Sequence, residues 1–379
     1  MYIASVSDLE NILTRADENE VDFVIQAGDF SNDFKGSPEL LNAYLQNPQN
    51  LSVYGVYGNH ELESGNSMDF VTQKLTNKTD SVVWGTADGK IGDGSIGYYY
   101  FDDDESGLRF IFLDTNYSLN PATGKYEHNA TGSYGAPAGN IGENSLGTEQ
   151  LNWFKNLLLS SAKAGKSCVI TSHTSFSEIW GSSPDAPAVL EIFDEANHIY
   201  PRTVLMAING HHHTNQFAVK NNILFMDVNT VFNGYWQSAG TEHYTDETFK
   251  FTSYNEDGTA IETIDKNVSE LTQAKNTYFF TDPLNAIVSI SNSGEITVDG
   301  AKTTWFKNVV PDVSNPAKTP EIFSGTFNLG INKNFNLTLG NISILGDSYS
   351  AYSGYIPEGY PAWYNSDKDV KSVEQTWWK

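Results

Sequence analysis

Short apolar runs that each break off at a polar side chain constrain this chain more than any other feature. "DFVIQAGD", "LSVYGVYGNH", "LRFIFLDTN", "SCVITSH", "TVLMAINGHHH" and "NILFMDVNT" all fit strands closed by Gly or polar residues. Helical patterns lie between several of them. In "LENILTRADE", Leu9, Ile12, Leu13 and Ala16 share one face at the i, i+3, i+4, i+7 spacing. "TEQLNWFKNLLLSSAK" does the same with Leu151, Phe154 and Leu158. Strands alternating with helices over residues 1 to about 230 predict a layered α/β architecture. "YYYFDDDESGLRFIF" reads as a hairpin with an acidic, solvated tip. From about residue 241 the pattern turns β-rich, in "ETFKFTSYNEDGTAIETI", "AIVSISNSGEITVDG" and "KTTWFKNVV".

The polar residues that close the runs are of one chemical kind: Asp29, Asn59 with His60, His173, and His211 with His213. In an open α/β sheet, ligands bind outside the carboxyl ends of the strands, so these side chains are expected to converge. Carboxylate, amide oxygen and imidazole together suit a divalent ion such as Zn, Mn or Fe. A lone Gly-Asp or Gly-Asn-His is an ordinary turn, and His128, His198 and His243 read singly as surface or hydrogen-bonded residues. The ordered combination, each member at a strand end, is what points to a metal site.

Composition narrows the function classes. Of 379 residues, 39% are hydrophobic and 18% charged, with 20 Tyr, 21 Phe and 8 Trp, which excludes a disordered chain. A formal charge of −25 argues against binding nucleic-acid backbones or anionic membranes, yet it leaves a phosphate substrate open, since bound cations invert the local field. The only cysteine, Cys168, lies among apolar residues and reads as core. No run approaches the ~20 apolar residues of a membrane span, and no signal peptide is visible at Met1.

The motifs Gly28-Asp29, Gly58-Asn59-His60-Glu61, His173 and Gly210-His211-His212-His213 resemble those of the calcineurin-like metallophosphoesterases, as do "FIFLDT" and "LGTEQLNWFKNLL". The resemblance implies a four-layer α/β/β/α sandwich with a β-rich C-terminal extension, followed here by a partial second α/β unit. It implies two divalent metal ions (Mn, Zn or Fe) and hydrolysis of phosphate mono- or diesters by metal-bound hydroxide. Asp29 would bridge the metals, Asn59, His173 and His211 would complete one site, and His213 would belong to the other. His60 would not ligate but would protonate the leaving oxygen or stabilise the phosphoryl transition state, and His212 would be a supporting residue.

The family's first motif, D-x-H, has no clean match. In Ser7-Asp8-Leu9-Glu10, a glutamate stands where the histidine belongs, so Asp8 and Glu10 are candidate ligands of the second metal. The alternative is a capping box, with Ser7 as N-cap and Glu10 reaching back to its amide. Asp8 lies 21 residues before Asp29 (29 − 8), shorter than the family usually allows, which favours the cap and a first strand upstream of Met1.

At the other end, "ISILGDSYSAYSGYIPEGYPAWYNSDKDVKSVEQTWW" resembles the opening of an SGNH/GDSL-type hydrolase, with Ser348 at the nucleophile position. The expected organisation is a phosphoesterase domain over 1–312, a linker or β-rich connection over 313–340, and an incomplete hydrolase segment over 341–379. That segment lacks the later His, Gly and Asn an esterase requires. A second functional expectation is therefore an inactive or single-metal accessory domain of a secreted multidomain serine esterase. Richness in Asn, Thr, Ser, Gly and Tyr suggests an extracellular or cell-surface bacterial setting.

Overall fold

The computed structural model describes residues 6–30, 51–62, 82–86, 90–91, 94–95, 97–129, 139–178, 183–212 and 215–228, and beyond these the strands given below. His213 and Ser348 lie outside the described residues.

A ten-stranded mixed sheet forms the centre. In chain order its members are β3 (Val83–Trp84), β6 (Tyr99–Asp103), β7 (Leu108–Leu113), β11 (Cys168–Ser172), β12 (Val204–Asn209), β13 (Asn215–Lys220), β14 (Ile223–Asp227), β15 (Thr241–Tyr244), β16 (Phe249–Tyr254) and β17 (Ala260–Lys266). Their spatial order is β17-β16-β15-β13-β14-β12-β11-β7-β6-β3. The inner strands β7, β11, β12 and β14 run parallel, and β11, β12 and β14 are buried along their whole length. Strands covered on both faces show such continuous apolar runs instead of alternation.

A six-stranded sheet packs against it. It comprises β1 (Phe23–Gln26), β2 (Ser52–Gly55), β19 (Asn285–Ile290), β20 (Ile296–Gly300), β23 (Lys333–Phe335) and β24 (Asn341–Leu345), in the order β2-β1-β24-β19-β20-β23. The strand that opens the C-terminal segment, β24, thus runs parallel to β1 and antiparallel to β19. Smaller sheets join β4 (Lys90–Ile91) to β5 (Gly94–Ser95), β8 (Tyr117–Asn120) to β9 (Lys125–His128) and β10 (Ile141–Ser145), and β18 (Thr277–Phe280) to β21 (Lys302–Asn308) and β22 (Ile322–Asn328).

The period-2 alternation of β7 shows how the layers are built. Leu108, Phe110 and Phe112 face the six-stranded sheet, where they join Phe23, Ile25, Tyr54, Val56, Val288 and Val298 in one core. Ile111 and Leu113 face the opposite way, onto α3 (Gly147–Lys163) and α4 (Ala186–Ile199), among Phe154, Leu158, Val189 and Phe193. Tyr54 stacks on Phe101 at 4.0 Å, and Phe23 meets Phe110 edge-on at 4.8 Å. A register shift between β11 and β12 pairs Cys168 with Val204 but Val169 with Met206, skipping Leu205. That bulge turns Leu205 and Met206 onto the same core.

The outer face of the smaller sheet carries α1 (Val6–Glu18), with Leu9, Ile12, Leu13 and Ala16 all buried as their spacing required. Each buried Leu or Ile there contributes roughly 1.5–3 kcal/mol. Arg15 holds the helix in place by hydrogen bonds to the Asn285 side chain and to Asp299. The layers therefore run helix, sheet, sheet, helix. At the hairpin tip Asp104 and Glu105 are exposed, while Asp102, within β6, pairs with Arg109 at 2.8 and 2.9 Å and with Lys166 at 2.9 Å.

Candidate metal centre

Parallel strands deliver their last residues to one edge. In the small sheet, β1 and β2 end in Gly28-Asp29 and in Gly58, which leads into the short helix α2 (Asn59–Leu62). In the large sheet, β11 ends in His173 and β12 in Gly210-His211. The two backbones are tied together there, since the N–H groups of Gly210 and His211 both donate to the His173 carbonyl.

Asp29, His173 and His211 each bring one ligand atom, all within 4.8 Å of one another. His173 Nε2 lies 3.3 Å from Asp29 Oδ2, 3.2 Å from Asn59 Oδ1 and 3.1 Å from His211 Nδ1. Its other nitrogen, Nδ1, is 3.0 Å from the Ala27 carbonyl, which can only accept, so Nδ1 carries a hydrogen. Metal-binding histidines are oriented in this way by their second nitrogen. Nε2 then presents either a lone pair or, on an imidazolium, a proton shared with two oxygens. A divalent cation suits that point and displaces the proton. The donor set and its spacing therefore fit a metal ion.

The approach is so close that two positions demand glycine. A Cβ on Gly28, whose φ is +97°, would stand 2.7 Å from Cγ of His173. One on Gly58 would stand 2.7 Å from Cγ of Asp29. Asp29 itself holds a left-handed φ of 50°, a conformation that costs a non-Gly residue free energy and persists only where its surroundings impose it.

Two residues impose it. The His60 N–H donates to Asp29 Oδ1 at 2.9 Å. Glu61 accepts the N–H of Asp29 at 2.9 Å, of Gly58 at 2.6 Å and of Phe30, so one fully buried carboxylate braces both ligand-bearing loops. Burial and the neighbouring Asp29 charge push the Glu61 carboxyl up to about 7, outweighing the N–H it accepts from Phe30. Burial also acts to raise Asp29, but the charges of His173 and His60 overcome it and hold that carboxyl well below the usual range. His60 is 1% exposed, with Nε2 3.9 Å from Asp29 Oδ2.

The structure thus brings together Asp29, Asn59, His60, His173 and His211. It does not bring Glu10 to them: residues 7–10 lie within α1, where Glu10 is exposed, and the Asp8 side chain lies outside the described residues. The helix begins at Val6, placing Ser7 inside its first turn instead of at the N-cap. His212 pairs with the buried Asp227 at 3.0 Å. The bracing role of Glu61 was not legible in the sequence, although the residue stands in the Gly58-Asn59-His60-Glu61 motif. Only the backbone N–H donors of the folded loops, converging on its carboxylate, reveal it.

Comparison with known proteins agrees with this geometry. The model of the calcineurin-like phosphoesterase family matches residues 3–215. The chain belongs to the calcineurin-like phosphoesterases. Residues 340–379 match a second family, the GDSL-like lipases/acylhydrolases. No curated protein matches the chain. Among solved structures, a dimetal phosphatase from Danio rerio is similar at 17% identity and a TM-score of 0.43, over 70% of this chain and 90% of that one. A putative 5'-nucleotidase from Staphylococcus aureus, in complex with alpha-ketoglutarate, gives 14% and 0.37 over 69% of this chain and 48% of that one. GAP50, the anchor in the inner membrane complex of Plasmodium, gives 13% and 0.38 over 88% and 86%. As a calcineurin-like phosphoesterase, the chain is a hydrolase of the class that uses divalent metals on phosphate esters. Among the described residues, no helix is long and apolar enough to cross a membrane.

Proposed function

We propose that this chain hydrolyses a phosphate mono- or diester at the Asp29 edge of the two sheets, with Asp29, Asn59, His173 and His211 holding a divalent cation of the Mn, Zn or Fe type and His213 contributing to a second. The observation that carries the reading is His173, whose Nδ1–H is spent on Ala27 and whose Nε2 meets two oxygens and another imidazole. When bound, such an ion supplies Lewis-acid polarisation of the phosphoryl group and an activated water. His60 is held against Asp29 through its own backbone, so its ring is fixed beside the metal ligands. It serves as the proton donor to the leaving oxygen, a contribution of about 10²–10⁴ in rate.

One observation favours a second reading, a single-ion or inactive domain. The segment that stands in for D-x-H is helical, and Glu10 faces solvent, so Glu10 is not placed at the cluster. A secreted or cell-surface setting accords with the composition and with the GDSL-like segment at 340–379.

The two readings separate in one assay. The Mn-loaded chain is expected to turn over p-nitrophenyl phosphate or its bis ester, and His60→Asn to lower the rate at least about 100-fold. Absence of turnover with tightly held metal favours the second reading.

A further inference from the structure

A second polar constellation borders the centre and has no part in the chemistry above. Asp114, directly after β7, is fully buried. Its backbone is clamped by Gln150, which accepts the Asp114 N–H at 2.8 Å and donates to its carbonyl at 2.7 Å. Its carboxylate is committed on both oxygens. Oδ1 accepts the backbone and side-chain N–H groups of Asn116 at 3.0 and 2.9 Å, and Oδ2 lies 2.7 Å from His128 Nε2. A Cβ on Gly97 would stand 2.6 Å from Cγ of Asp114, so the pocket around this carboxylate is built to its shape.

The pair is wired to the metal ligands from two sides. Asn116 Nδ2 donates at 2.8 Å to the carbonyl of Tyr57, the residue before Gly58-Asn59-His60. Thr115 and Thr174 hydroxyls meet at 3.1 Å, next to His173. His128, at the end of β9 and opposite Tyr117 of β8, packs its ring at a 45° tilt against that tyrosine with centroids 4.3 Å apart. With Asp114 Oδ2 accepting from Nε2, the matching tautomer of His128 has its lone pair on Nδ1. Nδ1 has no hydrogen-bond partner among the described residues, and 17% of the side chain is open.

We propose that His128, fixed in tautomer and direction by Asp114, is a specificity-determining residue that accepts a hydrogen bond from a hydroxyl on the organic substituent of the phosphate ester. A buried carboxylate that pins one imidazole nitrogen leaves the other aimed and unspent. An acceptor at the rim suits a hydroxyl and repels a phosphoryl oxygen, so the phosphoryl group belongs to the metal ligands and the substituent to His128. This rests on the proposed phosphoesterase reading.

The test compares glycerol 3-phosphate with phenyl phosphate on the full, Mn-loaded chain carrying His128→Ala or His128→Phe, the latter retaining the ring on Tyr117. Both variants are expected to lower kcat/KM for glycerol 3-phosphate about tenfold through KM, the size of one neutral hydrogen bond, and to change phenyl phosphate less than about twofold. An unchanged glycerol 3-phosphate value, or equal loss on both esters as a purely structural role gives, overturns the inference. If the wild type hydrolyses neither ester, the phosphoesterase reading fails separately. The same selective loss must then appear in the calorimetric dissociation constants of the two esters; equal or absent binding overturns the His128 assignment as well.

Discussion

Replacing Glu61 tests whether the ligand-bearing loops are held by one buried carboxylate. Glu61→Ala leaves the N–H groups of Asp29, Phe30 and Gly58 without their acceptor. Each buried N–H so orphaned costs about 1–3 kcal/mol, so the expected loss is at least about 2 kcal/mol even if water reaches one of the three. Urea unfolding of the metal-free protein reads this directly. Glu61→Gln keeps the volume and adds a pH signature. The folded carboxyl is raised to about 7 from an ordinary 4.5, so its stabilising contribution is full below about pH 4.5 and is lost as pH rises through about 7. The wild-type protein is therefore expected to lose stability across that window, and Glu61→Gln to flatten the slope. Asp29, held low, acts in the opposite sense and only below its ordinary 3.8, where its contribution is lost as acid protonates it. The reasoning is refuted if Glu61→Ala unfolds within 1 kcal/mol of wild type and Glu61→Gln keeps the wild-type slope.

Two further outcomes follow from the packing. Gly28→Ala places a methyl 2.7 Å from Cγ of His173 at a backbone φ of +97°, so Mn affinity by calorimetry is expected to fall about 10–100-fold, at a backbone cost of about 1–2 kcal/mol. Unchanged affinity contradicts the close approach. Cys168 is fully buried and its thiol is pushed up to about 12, mainly by burial, so iodoacetamide is expected to leave it unmodified until the protein is unfolded.

Periodicity made much of the fold legible. The stripe Leu9, Ile12, Leu13, Ala16 and the alternation of Phe110 and Phe112 against Ile111 and Leu113 are geometric consequences of helix and strand repeats, so burial follows from spacing. Convergence of Asp29, Asn59, His173 and His211 was legible because parallel strands share one carboxyl edge. What spacing does not encode is which oxygen accepts which N–H. Glu61 reads as one more letter of its motif, and Asp114 as the end of an apolar run, until the loops fold around them. His128 reads as a surface or hydrogen-bonded residue; its partner, 14 positions away across a small sheet, cannot be picked out from sequence. The pairing of β24 with β1 joins residues some 320 positions apart, beyond the reach of any local pattern.

The central claim is that Asp29, Asn59, His173 and His211 hold a cation, and the most direct test is metal content per chain. Elemental analysis after loading with Mn and desalting is expected to find at least one ion in the wild-type protein and none in Asp29→Asn. Retention of no ion by the wild type, or equal retention by both, contradicts the account.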